Sequence, residues 1–305
     1  MKTLAITTYF NPLNFQTKKR NYEIFKQELE QANIPLFTFE STLEGYPFHL
    51  QKDANTFQFS GGSILWQKER LFNLGLQFIP KEVENIIWLD SDILFENENW
   101  FLETEEKLNQ YIVVQPFSEV YRMKKDIYVK TKSEEHWLSF ALQFNRNPTL
   151  CSRGDFILHG HSGFAWGIRR KILDAWKFYD ACVAGSGDHM MAHAFVGDWD
   201  SPCINRILGE DSLHKKHYLE WCKKIYPNIK ANLGYVKGEI YHLWHGEVEN
   251  RKYVKRNIEL EAMKFNPKKH LTLDGSGLYK WTKDAKHFET WAKQYFMERL
   301  EDGNI

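Results

Sequence analysis

The chain has 305 residues, 43% of them hydrophobic and 26% charged, and its 40 basic and 40 acidic side chains cancel to a formal net charge of zero. That balance excludes disordered and collagen-like classes and leaves any nucleic-acid argument to local patches. The length suits one large domain with a sizeable core.

Aromatic residues reach 15%, a content that serves stacking on flat or sugar-like ligands as well as ordinary core packing. Cys151, Cys182, Cys203 and Cys222 form no CxxC-type pair, so reduced thiols are expected rather than a zinc knuckle or a disulfide framework. The N-terminal "MKTLAITTYFNP" reads as a first strand and not as a signal peptide, and no run approaches the length of a membrane span. A cytoplasmic location is the expectation.

In chain order, Leu4–Tyr9 is strand-like, and a helix from about Lys19 to Ala32 sets Tyr22, Phe25, Leu29 and Ala32 on one face. A second strand covers Leu36–Phe39. Gly61-Gly62 precedes a helical pattern, with Leu65, Leu71, Leu74 and Phe78, that ends at Pro80. "NIIWLDSDILF" then runs as a strand buried on both faces until two aspartates interrupt it. Helix is expected at Glu103–Leu108 and strand at Tyr111–Pro116, followed by an irregular stretch over 119–155. "HGHSGFAWGIRRKILDAWKFYD" begins as a loop and ends as a helix, "AGSGDHMMAHAF" repeats that form, and "IYHLWHG" is a strand. The tail 284–302 is helical. Strands alternating with helices predict an α/β sheet. The division expected is a domain over 1–256 with a helical appendage, 257–305, packed on it.

Asp90 and Asp92 sit where an open α/β sheet binds ligands, beyond the carboxyl end of a strand. Residues i and i+2 share a side in extended geometry, so the pair offers two carboxylates to one hard cation; a capped strand end is the competing reading. His242 and His245 offer a further ligand, imidazole being more acceptable to Mn²⁺ than to Mg²⁺, or are simply buried and hydrogen-bonded. Arg251, with Lys252, Tyr253 and Arg256, places cations where a diphosphate would lie, or forms a solvated helix face. Asp188 reads as a helix cap or as a general base. Trp166 stacks on a sugar face or fills the core. Lys68 and Arg70 lie on the polar part of their helix, a position usually solvated.

The order of these pieces carries a resemblance. "WQKERLFNLG", "WLDSD", "SGFAWGIRRK", "GSGDHMM" and "HLWHG" follow one another as in GT-A-fold glycosyltransferases. Lys68, Leu71 and Asn73-Leu74-Gly75 resemble the helix before the D-x-D strand in the β-1,4-galactosyltransferase-like group. "HLWH" resembles the metal-binding His segment of polypeptide N-acetylgalactosaminyltransferases. The resemblance covers roughly residues 3–256. It implies a Rossmann-like mixed sheet flanked by helices, and a metal-dependent transfer of sugar from a nucleotide-diphosphate sugar, UDP-linked, to an acceptor hydroxyl.

Carried over, it implies Mn²⁺ or Mg²⁺ held by Asp90, Asp92 and His242, with Ser91 and His245 toward the phosphates. Thr8 and Tyr9 would meet the base, Lys68 or Arg70 the nucleotide, and Asp188 the acceptor. The Trp and paired acids found in that group around the Gly-Gly-acid segment are absent here, which makes His189 a rival to Asp188. Two other readings stand beside this one. In the first, DNA with a hydroxymethylated base is the acceptor, met by Arg122, Lys124, Lys125, Lys130 and Lys132. In the second, the chain is a non-catalytic sugar-binding module.

Overall fold

The computed structural model describes residues 2–149 and 156–303, so Cys151 lies outside the described residues. The strands are β1 (Thr3–Phe10), β2 (Leu36–Thr42), β3 (Thr56–Ser60), β4 (Asn85–Leu89), β5 (Ile93–Phe95), β6 (Val113–Gln115), β7 (Glu119–Arg122), β8 (His136–Leu138), β9 (Ala165–Arg169), β10 (Leu233–Tyr235), β11 (Glu239–His242), β12 (Leu271–Leu273) and β13 (Tyr279–Trp281). The helices are α1 (Gln16–Gln31), α2 (Lys68–Gly75), α3 (Trp100–Lys107), α4 (Phe140–Arg146), α5 (Phe156–His159), α6 (Arg170–Trp176), α7 (Gly187–Val196), α8 (Pro202–Leu208), α9 (Leu213–Ile229), α10 (Lys255–Ala262), α11 (Pro267–His270) and α12 (Lys286–Glu298).

The architecture is mixed α/β, a central mixed sheet flanked by helices. Its order is β10-β6-β9-β4-β1-β2-β3. Strands β1 to β4 pair in parallel, while β9 runs antiparallel to both β4 and β6. The continuous apolar run of β4 has a direct cause. Ile86 and Trp88 enter the core on one face of the sheet, and Ile87 and Leu89 enter the core on the other. Burying four such side chains contributes roughly 6–12 kcal/mol before conformational entropy is charged against it.

Helix α1 supplies Tyr22, Phe25 and Leu29 to the second of these cores, and α2 supplies Leu71 and Phe72 to the first. Gly75 ends α2 with the Phe39 ring where a Cβ would stand, 2.2 Å away, so a larger residue there would force the helix off the sheet.

After Leu89 the chain leaves the central sheet. Asp90, Ser91 and Asp92 form a turn, and β5 joins a second sheet of order β5-β11-β7-β8. The single strand expected across residues 85–95 is therefore two strands in two sheets. "AWGIR", expected as a loop running into a helix, is the antiparallel strand β9, whose Gly167 faces Thr104 and Leu108 on the helix side. Part of the stretch expected to be irregular, 119–155, holds β7, β8 and α4.

Residues beyond 256 pack through Phe265, Trp281, Phe288 and Ala292 onto Leu65, Val183 and Ala184. The Asp302 carboxylate accepts from the backbone N–H of Gln16 and Thr17, capping α1, whose own N-cap side chain makes no cap bond. Among the described residues, no helix is long and apolar enough to cross a membrane.

Candidate active site

A cavity of about 440 Å³ opens beyond the carboxyl ends of β1 and β4, where Thr8, Phe10, Asp90, Ser91 and Asp92 line it. Strand alternation separates the two residues expected to meet the base. Thr8 is on the cavity wall, whereas Tyr9 is fully buried against Tyr22 with its hydroxyl accepting from Asn11. Tyr9 is thus a core residue.

On one wall, Asp92 meets two histidines. Its oxygens lie 3.6 Å from His242 Nε2 and 3.5 Å from His245 Nε2, and those two nitrogens are 2.9 Å apart. Pairing of β11 with β5 and the Leu243 N–H donating to the Asp92 carbonyl at 2.8 Å fix this approach. Ligand atoms from the three residues all lie within 4.8 Å of one another.

The donor set fits a divalent cation. Asp92 Oδ1 is buried and has no hydrogen-bond partner among the described residues. Burial lowers the pKa of both histidines, keeping the imidazoles neutral as ligation requires. Asp92 stays below the usual carboxylate range: burial pushes it up, but His242, Arg251 and Lys18 outweigh that. Arg251 donates to the Nδ1 and the backbone oxygen of His245, so in this arrangement His245 Nε2 carries the N–H. Asp92 and His242 are then the residues with lone pairs to offer.

Asp90 takes a different direction from Asp92. Because the chain turns at Ser91, the two carboxylates do not converge. Asp90 accepts from Lys68 Nζ at 2.5 Å, and the same ammonium donates to Asp188 Oδ2 at 2.6 Å. Asp90 is accordingly outside the group of clustered ligand atoms. Lys68 is 8% exposed rather than solvated, and the two acids hold it firmly protonated against a burial effect that works the other way. Burial, with Asp188 and Asp92 nearby, raises the Asp90 pKa to about 6 despite Lys68.

Asp188 is not a helix cap. It lies in the first turn of α7, yet its second oxygen accepts from the indole N–H of Trp88 at 3.1 Å. Beside it, Glu69 is buried and its pKa is pushed up to about 8, chiefly by burial. A Cβ on Gly187 would stand 2.1 Å from the Glu69 carboxylate, so a larger residue at the start of α7 would displace the Glu69 side chain.

Two expected contacts lie elsewhere. Arg70 donates to the Gly277 carbonyl and to Asp180, holding the β12–β13 hairpin, and does not line the cavity. Trp166 is 1% exposed, its indole N–H donating to the Ser162 carbonyl and its rings packed on Trp88 and Phe195. The aromatic wall is instead Trp66, Trp137, Phe164 and Tyr253. His189 is buried among His159 and His193, with Nδ1 3.2 Å from Ser162 Oγ.

On the remaining wall Arg251 and Arg256, both expected near a diphosphate, are joined by two cations that sequence reasoning missed, Lys18 and Arg299, together with Glu301, whose carboxylate is paired with Arg299 at 2.6 Å. Local pattern gives no sign of Arg299 and Glu301, because only the fold returns the tail to the cavity. Of the basic stretch at 122–132, Arg122, Lys130 and Lys132 pair with Glu135, Glu28 and Glu239.

No family model matches the chain, and no curated protein matches it. Among solved structures, the chain is similar to the catalytic domain of Drosophila β1,4-galactosyltransferase 7 complexed with xylobiose, at 11% identity and a TM-score of 0.39, over 96% of this chain and 99% of that one. It is also similar to 4-diphosphocytidyl-2C-methyl-D-erythritol synthase from Anaerococcus prevotii, at 12% identity and a TM-score of 0.37 over 96% of each chain. Mannosyl-3-phosphoglycerate synthase from Rubrobacter xylanophilus follows at 9% identity and a TM-score of 0.37, over 91% of this chain and 82% of that one.

Proposed function

We propose that this protein is a metal-dependent glycosyltransferase that moves a sugar from a nucleotide-diphosphate sugar, UDP-linked, to a hydroxyl of a saccharide acceptor. One observation carries the reading. A single cavity beyond the sheet's carboxyl edge holds the Asp92–His242–His245 group, a wall of buried cations, and the Lys68–Asp188 pair.

Asp92 and His242 are the residues that would hold a divalent ion, with Mn²⁺ favoured over Mg²⁺ by the imidazole. Such an ion, when bound, supplies positive charge to the departing diphosphate. The chain adds its own contribution. His245 presents an N–H, and Lys18, Arg251 and Arg299 present charge to phosphate oxygens from the cavity wall. Thr8 borders the nucleoside side.

Asp188, oriented by Lys68 and Trp88, accepts the proton of the acceptor hydroxyl as it attacks. Trp66 and Trp137 offer the sugar faces that Trp166 does not. Pairing of Arg122, Lys130 and Lys132 with acids favours a saccharide acceptor over DNA.

The test is release of UDP from a panel of nucleotide sugars, with and without Mn²⁺, in wild type and Asp92→Ala. Metal-dependent release that the substitution abolishes supports the reading. Measurable donor binding with no release from any donor would instead establish a binding module.

A further inference from the structure

Where His189 and Cys203 line the cavity lies a second cluster that the proposed transfer does not use. His159 ends α5, His189 and His193 stand one turn apart on α7, and Cys203 lies in the first turn of α8. One ligand atom from each lies within 4.8 Å of the others, and all four residues are buried. The imidazoles pack closely, with ring centroids 4.5 Å apart for His189 and His193 and 5.2 Å apart for His159 and each of the other two.

The outer nitrogen of each ring is engaged in the manner of a ligating histidine. His159 Nδ1 is 2.8 Å from the Gly160 carbonyl, His189 Nδ1 is 3.2 Å from Ser162 Oγ, and His193 Nδ1 is 3.0 Å from Asp198 Oδ2. The Gly160 carbonyl and the Asp198 carboxylate only accept, which puts the N–H of His159 and His193 on Nδ1 and leaves their Nε2 with the lone pair, and the Ser162 hydroxyl can accept from His189 Nδ1 in the same way. Each Nε2 then faces inward. His159 Nε2 is 3.4 Å from Cys203 Sγ, and His193 Nε2, on a fully buried side chain, has no hydrogen-bond partner among the described residues.

We infer that His159, His189, His193 and Cys203 form a tetrahedral zinc site that ties α5, α7 and α8 together. Three imidazoles and a thiolate suit zinc, whereas magnesium and calcium require oxygen ligands. Zinc bonds of about 2.0–2.3 Å set ligand atoms about 3.3–3.8 Å apart, so a contraction of about 1 Å closes the set. Binding releases the Cys203 proton, and four protein ligands leave no open position, so the site is structural. It has a consequence for the cavity: Asp188 precedes the ligand His189, so the zinc would set the position from which α7 presents Asp188.

The experiment uses the full-length protein. Native mass spectrometry and elemental analysis after purification should find one zinc per chain that survives the Asp92→Ala substitution. Exchange with Co²⁺ should give the intense visible bands of tetrahedral cobalt and a thiolate-to-cobalt charge-transfer band. That band should persist in Asp92→Ala and vanish in Cys203→Ser. Should Cys203→Ser fail to fold, the wild-type metal content and cobalt spectrum decide alone. Folded wild type that takes up no zinc, cobalt bound with no thiolate band, or zinc lost from Asp92→Ala but kept by Cys203→Ser would each overturn the assignment.

Discussion

Lys68 Nζ stands 2.6 Å from Asp188 Oδ2 although 120 residues separate them, and the same ammonium holds Asp90. One buried cation thus joins the turn after β4 to the start of α7. Lys68→Ala strands two acids that are mostly out of water, and a loss of about 3–5 kcal/mol is expected. Equilibrium unfolding in urea measures it. Wild-type stability in the variant would show the pair to be a surface contact.

The divergence of Asp90 and Asp92 predicts unequal effects on the metal. Asp92→Ala should weaken Mn²⁺ binding beyond measurement by calorimetry. Asp90→Asn acts through Lys68 and should cost no more than the roughly 10- to 100-fold typical of residues that orient a ligand. Equal losses would return Asp90 to the ligand set.

The two kinds of tryptophan separate by readout. Trp166→Ala opens a cavity in the core and should cost about 3–5 kcal/mol of stability. Trp137→Ala, on the cavity wall, should raise KM for donor or acceptor at unchanged melting temperature. If Trp166→Leu keeps full stability and loses only affinity, the core assignment is wrong.

Glu69 makes stability depend on pH. Its pKa rises from 4.5 to about 8 on folding, so between those values the native state keeps a proton that the unfolded chain gives up. Stability therefore falls as pH rises through that window and is level above it. Glu69→Gln should flatten this slope. Denaturation at a series of pH values gives the answer, and an unchanged slope in the variant would assign it to other groups.

Glu301 has the opposite sign. Burial works against its charge, but Arg299, Lys18 and Arg251 draw the pKa from 4.5 down to about 2. Its contribution is complete above 4.5 and disappears as pH falls toward 2. Glu301→Gln leaves Arg299 without its buried partner and should lower the melting temperature at neutral pH, with the deficit shrinking on acidification. A deficit that stays constant across that range would point to packing instead.

Much was legible in the chain because local pattern reflects local burial. The run at 86–89 has no polar residue because both faces of β4 are covered, and this made the strand and its position before two acids readable. "GSGDHMM" and "IYHLWHG" likewise placed a helix start and a strand end. Their order along the chain suggested the chemistry better than any single motif did.

The sequence by itself determined the alternation of strands and helices and the doubly buried strand that runs up to Asp90. Side-chain direction and partnership required the tertiary structure. A turn at Ser91 sends adjacent carboxylates to different partners, and strand alternation hides Tyr9 while exposing Thr8. Burial of Trp166 leaves the cavity wall to Trp66 and Trp137, and the fold returns Arg299 and Glu301 to the site. Cysteine spacing argued against a zinc site, because spacing records only neighbours in sequence. His159, His189, His193 and Cys203 come together only when three helices pack, since contact in a folded chain is set by the packing of elements and not by distance along it.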